Sequence, residues 1–583
     1  MTMFFQVFCA VFSGILSAVA IPNEALASGS AALAFVALAP LYFAAKNARS
    51  YKECALLFAL DALSCHLLSS YWLANFKDFA ALTLGASAAG TACIEAMAGC
   101  LFFFPFAKSG RPQSLKSDSS IYMRPGLSFS FEPYRILHFA AVRVVYEWAK
   151  STGFLAYPWG VLSMAAFDNK LLLQTADIFG SYGLSFMMAF CAALAGEAVG
   201  FLGNIRAQKD KFSLLCNAKC LFLMLSLAIC YGSFCLLQFS PPQKTLNAVL
   251  VQQNMDPWAS SDDTQSMENS IRLSEAGINA FRSQDEPVDL VVWSEAVLRY
   301  AFPHSMRRYD YYPQEESLFA FIQRMETPFI IGGPYSFDPS RHKHANAALV
   351  FDGKGDFKGW YGKNHLVPFA EVIPGVEYPW VRKAMERVVG FSNGWTAPGT
   401  YTLFDFKGRP SSQGAGAVKI VPMDDSLAEQ KSVPVRVAVP ICFEDAFPDV
   451  CGPFHQAGAE VFMNITDDSW SKTASAEWQH FAVAVFRAVE YRTTLVRSTN
   501  AGVTAVVDNK GRVLQSLPLF EEGSLSAKIP IFKHVDTVYS KYGNWFAHFM
   551  LALIALAAVL KALEFRAPPL RDCVMAELEK IEF

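Results

Sequence analysis

The chain has 583 residues, more than one ordinary domain, and 53% of them are hydrophobic against only 17% charged. That balance is too apolar for an ordinary soluble globule and points to membrane insertion. A net charge of -3 offers no global basic surface, so nucleic acid is excluded as an expected partner.

In chain order, apolar stretches recur at about 4 to 21, 30 to 46, 53 to 73, 80 to 106, 134 to 150, 171 to 203 and 213 to 239, with a last one at 543 to 563. Most reach the ~20 residues with which a helix crosses ~30 Å of hydrocarbon. The expected architecture is therefore an α-helical transmembrane bundle of about eight spans, seven in residues 1–240 and one in 541–583. The first stretch has no Lys or Arg ahead of it and others follow closely, so it reads as an uncleaved helix rather than a signal peptide. Cations set the orientation. Lys46, Arg49 and Lys52 share one loop, Lys108, Arg111, Lys116, Arg124 and Arg135 the next but one, and Arg206, Lys209 and Lys211 a third. Lys561, Arg566 and Arg571 follow the last span. Both termini are expected in the cytoplasm, and residues 241–540 in the periplasm of a two-membrane bacterium. Glu95, Arg143 and Glu147 are unusual in apolar stretches, because charge is costly in hydrocarbon; Arg143 and Glu147, one turn apart, are spaced to pair. Ten of the 13 cysteines lie in this apolar part and read as small buried hydrophobes.

From 241 to 540 strands and helices alternate, the pattern of a layered α/β domain. The runs TLNAVLVQQN, VDLVVWSEA, TPFIIGGPYS, VRVAVPICFED, AEVFMNITDD and TTLVRSTN read as buried strands. Hairpins are expected on Asp352-Gly353-Lys354-Gly355 and Asn509-Lys510-Gly511. Helices fit at about 263 to 283, 315 to 326, 447 to 459 and 475 to 492. The polar run from Gly408 to Val433 reads as a surface excursion. Val372 to Pro398, with Trp380, Val388, Val389, Phe391 and Trp395, reads either as an arm lying on lipid or as core.

Three signatures stand at strand ends, where α/β folds place reactive groups. VVWSEAV puts Glu295 beside a desolvated pocket, a setting for a proton shuttle. WYGKNHLVPFAEVIP carries Lys363, suited to hold an oxyanion, and Glu371 eight residues later. VAVPICFEDAFP delivers Cys442 into a strand-to-helix turn whose free amides would lower a thiol's pKa and bind an oxyanion, a nucleophile's setting. Taken singly, each has a plain alternative: a cap or turn acid, a solvated hairpin lysine, and an inert thiol or a disulfide with Cys451. Their joint order at strand ends weakens all three alternatives.

The triad Glu295, Lys363 and Cys442 resembles that of the nitrilase superfamily, with its αββα sandwich. KNHLVPFAEVIP, ICFED, VQQNMDPW, MNITDDSW and QHFAVAVFRAVEYRTTLVRSTNAGVTAVVDNKG, with EWAKSTGFLAYPWG and GSYGLSF in the apolar part, are similar to the apolipoprotein N-acyltransferase branch. The resemblance implies Cys442 as nucleophile, Glu295 as base, Lys363 as oxyanion stabiliser, Glu371 and Glu444 as supporting acids and Trp258 as a pocket aromatic. Phe443 stands where that family commonly has tyrosine, and Ala370 where it usually has glycine. The implied reaction moves an acyl chain from a phospholipid, with phosphatidylethanolamine the expected donor, through a Cys442 thioester to the α-amine of a diacylglyceryl-apolipoprotein. No metal or cofactor is expected, since no His and Cys cluster shows zinc spacing. A membrane-tethered amidase or nitrilase would use the same triad, and a transporter or scaffold with an inert outer domain is the alternative from another class.

Overall fold

The computed structural model describes residues 1–76, 80–107, 131–202, 208–256, 262–373, 375, 378–388, 394–411 and 432–566. Its apolar half contains α1 (Met3–Ala20), α2 (Ala31–Ala37), α3 (Ala39–Lys46), α4 (Tyr51–Ser69), α5 (Ala80–Phe103), α6 (Arg135–Lys150), α7 (Lys170–Leu173), α8 (Ala176–Phe179), α9 (Ser181–Leu202) and α10 (Gln208–Leu237). Among the described residues α1, α5, α9, α10 and, near the C-terminus, α17 (Trp545–Arg566) are long and apolar enough to cross a membrane. Two of the expected stretches are broken locally. Pro40 in the first turn of α3 separates it from α2, because proline cannot continue a preceding helix. At Gly180, with φ 65°, the stretch from 171 to 203 breaks into two short helices and α9. Within the bundle, Arg143 of α6 donates to Glu147 Oε1 at 3.0 Å and to Glu95 Oε1 of α5 at 2.8 Å. The expected pair is thus part of a larger cluster that also approaches Asp61 of α4 at 3.8 Å.

The α/β half builds two sheets. In the first, β1 (Lys244–Gln252), β2 (Leu290–Val292) and β3 (Phe329–Asp338) run parallel, flanked by β4 (Lys343–Phe351), β5 (Phe357–Gly362) and β12 (Gly523–Ile531). In the second, β7 (Val433–Ala438), β8 (Val461–Thr466) and β9 (Thr494–Thr499) run parallel, flanked by β6 (Leu403–Pro410), β10 (Ala505–Val507) and β11 (Val513–Ser516). The sheets join where Lys244 and Thr245 pair with Pro410 and Arg409. Both expected hairpins form, as β4–β5 and β10–β11.

Strand alternation assigns the faces. Leu246, Ala248 and Leu250 pack with Val435 and Val437 of the second sheet, while Val249 and Val251 pack with Leu273, Ile278 and Phe281. These last lie on α11 (Thr264–Arg282), which with α12 (Leu318–Met325) covers the outer face of the first sheet. The hydroxyl of Ser498 on β9 donates to the carbonyls of Val251 and Val292, stitching the inner faces together. On the other side lie α14 (Pro448–Gln456) and α15 (Ala474–Glu490). The four helices fall where the sequence places them. β6 and β12 are additional: Gly408–Pro410 and Val433 are strand ends, so the expected excursion shrinks to residues 412–431, which lie outside the described residues.

α15 is also the floor on which the bundle sits. Gln479 donates to the carbonyls of Pro22 and Ser69 at 3.0 and 2.9 Å, and Phe481 packs edge-on against Phe167. This single helix therefore serves two cores, and among its residues Ala476 and Phe481 to Phe486 are buried.

Candidate active site

The chain segments that leave β2, β5 and β7 converge, and their opening residues make the candidate site. Glu295 comes three residues after β2. Its approach to the first sheet depends on Gly332 of β3: a Cβ there would stand 2.3 Å from the Ser294 carbonyl oxygen and 2.6 Å from the Glu295 Cα. Lys363 comes directly after β5, where its amide donates to the Asn346 carbonyl at 2.8 Å. Its ammonium is 1% exposed and reaches Glu295 Oε1 at 3.3 Å and Glu371 at 3.0 Å. Burial alone would pull this lysine down. Cys442 once ionised, with Glu295 and Glu371, prevails and holds it well above the usual lysine range, so it stays cationic.

Cys442 lies four residues beyond β7, at the first position of a 3-10 turn running Cys442–Ala446. Its φ is 55°, a left-handed conformation that costs a non-glycine residue ~1–3 kcal/mol. The amide of Asn464 on β8 donates to the Cys442 carbonyl at 2.8 Å and to the Pro440 carbonyl at 3.2 Å, pinning that turn. The sequence suggests a lowered thiol pKa; the structure reverses this. Burial, then the charge of Glu295, push the Cys442 thiol well above its ordinary value, outweighing Lys363. The resting group is therefore a thiol that needs a base. Cys442 and Cys451 are both free thiols, not a disulfide.

Glu444 ties two of these segments together. It accepts from the amides of Asn364 and His365 at 2.7 and 3.0 Å, from the Ile441 amide at 2.8 Å and from the Tyr361 hydroxyl at 3.0 Å. Burial pushes its carboxyl up to about 7 against those donors. It thus clamps the segment after Lys363 onto the cysteine turn and caps it as well. Glu371 accepts from Lys363, from the Val367 amide at 2.8 Å and from Asn346 Nδ2 at 3.0 Å.

Phe443 packs against the ring of His365 at 5.3 Å, that of Phe447 at 5.0 Å and that of Trp159 in the apolar half at 6.3 Å. Lys363 Nζ sits 5.3 Å from the centroid of its face. Trp258 lies outside the described residues.

Sequence reading missed three contributors. Asn346 donates to Glu295 at 2.7 Å and to Glu371, setting the two carboxylates on either side of Lys363. The Asp467 amide donates to the other Glu295 oxygen at 3.0 Å. Behind the site His480 bridges Asp445 at 2.9 Å and Asp468 at 2.6 Å, with Arg497 also on Asp468 at 3.4 Å, and Trp159 packs on the imidazole at 5.7 Å. The DD doublet after β8 and the glycine pair in β3 were the available signals; nothing local marks Asn346.

Comparison with known proteins covers both halves. Residues 13–194 match the apolipoprotein N-acyltransferase N-terminal domain, and residues 247–532 match the carbon-nitrogen hydrolase family, which is the nitrilase-like fold seen here. Apolipoprotein N-acyltransferase 2 of Treponema denticola is 39% identical over 95% of this chain and 97% of its own. Apolipoprotein N-acyltransferase 2 of Treponema pallidum is 35% identical over 91% of each, and the apolipoprotein N-acyltransferase of Borreliella burgdorferi 29% over 95% of each. With both halves matched and nearly the whole length aligned, the chain belongs to the apolipoprotein N-acyltransferase family.

Proposed function

We propose that the protein moves an acyl chain from a phospholipid, phosphatidylethanolamine first among candidates, to the α-amine of the diacylglyceryl cysteine at the N-terminus of apolipoproteins. One observation carries this: a strained, half-buried thiol shares its pocket with a cationic Lys363 and with Glu295, at the seam between the α/β sandwich and an apolar helical bundle.

Glu295 takes the thiol proton as Cys442 Sγ attacks the ester carbonyl. Lys363 and turn amides hold the oxyanion, the C–O bond breaks, and the lysophospholipid leaves with that proton. The acceptor amine then attacks the thioester; the C–S bond breaks and a proton passes through Glu295 back to sulfur. Glu371 and Asn346 fix the lysine, Glu444 fixes the turn, and Trp258 and Phe443 are the aromatics assigned to the acyl chain. No cofactor has a part in these steps.

The same reading gives residues 1–240 and 541–583 to eight inner-membrane spans, with both termini cytoplasmic and 241–540 periplasmic. The outward apolar side chains of α10 and α17, such as Phe222, Leu237, Leu556 and Leu563, support it. The helix α13 (Pro379–Val388) is the lipid-lying arm, since Tyr378 beside it is exposed and Trp380 is 73% exposed. Val388's side chain, Val389 and Phe391 lie outside the described residues. Replacing Trp380 with Ser should lower turnover of vesicle-bound donor; unchanged turnover would remove the arm from the mechanism.

Intact-protein mass spectrometry after incubation with phosphatidylethanolamine tests the central claim. An acyl-sized adduct on Cys442, absent in Cys442→Ser and discharged onto a diacylglyceryl-cysteine peptide, is expected. An adduct lost only to water would favour the membrane-tethered amidase.

A further inference from the structure

We infer that His455, His534 and Asp536 form a site for one divalent transition-metal ion, Zn2+ by preference, at the junction between the catalytic sandwich and the last apolar helix. His455 lies in the last turn of α14, the helix that opens after the cysteine turn. His534 and Asp536 lie in the segment between β12 and α16 (Val538–Tyr542), which leads into α17.

The His455 imidazole is 1% exposed, yet neither ring nitrogen has a hydrogen-bond partner among the described residues. An unsatisfied buried polar group is costly. Its Nε2 faces Asp536 Oδ1 at 3.6 Å, too long for a hydrogen bond but near the ~3.4 Å edge of a tetrahedron built from ~2.05 Å zinc bonds. The His534 ring stacks on His455 with centroids 4.2 Å apart. With Nδ1 of His534 3.3 Å from the Ala459 carbonyl, that contact favours the tautomer whose Nε2 lone pair is free for a metal, the arrangement that metal-binding histidines commonly use. One ligand atom from each of the three residues lies within 4.8 Å of the others; because an imidazole binds metal in its own plane, the exposed His534 must turn out of its stack on His455 for both rings to face one ion. Lys541 lies 3.5 Å from the second Asp536 oxygen and leaves the first directed at His455. Two imidazoles and one carboxylate suit Zn2+, with a fourth position for water.

The sequence hides this set because its members come from separate elements. The site lies apart from Cys442 and supplies nothing to acyl transfer. Its effect is to fasten α14, and so the platform of the cysteine turn, to the strand exit that enters α17.

The test uses detergent-purified full-length protein in a Cys442→Ser background, so that the nucleophile cannot bind metal. After chelator treatment it is titrated with Co2+ and then Zn2+, and compared with His534→Ala and Asp536→Ala. Both positions are exposed, so these variants should fold as the parent does; matching circular dichroism checks this. The parent should show the visible absorption of tetrahedral Co2+, displaced by Zn2+, and a Zn2+-dependent rise in melting temperature. Each variant should lose the Co2+ band and bind Zn2+ at least about tenfold more weakly. No band in the parent, or equal Zn2+ affinity and equal melting shift in parent and variants, would overturn the assignment.

Discussion

Two buried cations, one in each half of the molecule, have similar company and different consequences. Arg143 in the bundle meets Glu95, Glu147 and Asp61; Lys363 in the sandwich meets Glu295 and Glu371. Around Arg143, both Asp61 oxygens and one oxygen each of Glu95 and Glu147 have no hydrogen-bond partner among the described residues. Around Lys363, Asn346 and backbone amides complete the carboxylates. A guanidinium joining α4, α5 and α6 holds helices together. An ammonium fixed between two hydrogen-bonded carboxylates, beside a left-handed thiol, fits the proposed role of meeting charge that develops during a reaction.

The comparison breaks if the two sites respond alike to loss of their centres. Cys442→Ser and Lys363→Met should each cut acyl transfer per folded molecule by at least about 10⁴-fold, with melting unchanged in Cys442→Ser and lowered in Lys363→Met, which leaves Glu295 and Glu371 without their cation. Arg143→Met should instead leave three buried acids uncompensated and cost on the order of 3–5 kcal/mol in stability, while activity per folded molecule stays within a few-fold. A large activity loss there without unfolding would make the bundle cluster part of the chemistry.

His480 sharpens the boundary, since Trp159 of the apolar half packs on it. Asp468, then Asp445, raise its imidazole from 6.5 to about 9 against burial and Arg497. A raised pKa stabilises the fold fully below about pH 6.5, and that contribution is lost as pH rises through 9. Melting temperature should fall across this window by the equivalent of at most about 3 kcal/mol, and His480→Gln should flatten the profile. The smallest expected effect is at Gly332. Gly332→Ala should displace Glu295 and lower kcat by about 10²-fold, with KM little changed.

Much of the candidate site was readable because each of Glu295, Lys363 and Cys442 sits in its own strand-end string. The β-strands found from sequence were continuous buried runs. β12 was missed because GSLSAKIPI alternates as a half-exposed strand does, and β6 because its end merges into the polar run after Gly408. Of the expected spans, those with charges or breaks inside them were hardest to delimit: α4 carries Lys52, Glu53 and Asp61, and α3 has a proline in its first turn.

By itself the sequence determined the two-part organisation, the nitrilase-like core and the candidates for the reactive residues, since hydropathy and strand-end motifs are local properties. Only the tertiary structure decided what surrounds them: that Asn346 stands between two carboxylates, that the Cys442 thiol is pushed up rather than down, and that His455 meets His534 and Asp536. Desolvation and charge pairing act through space, between strands and helices far apart in the chain, and no local pattern of residues records them.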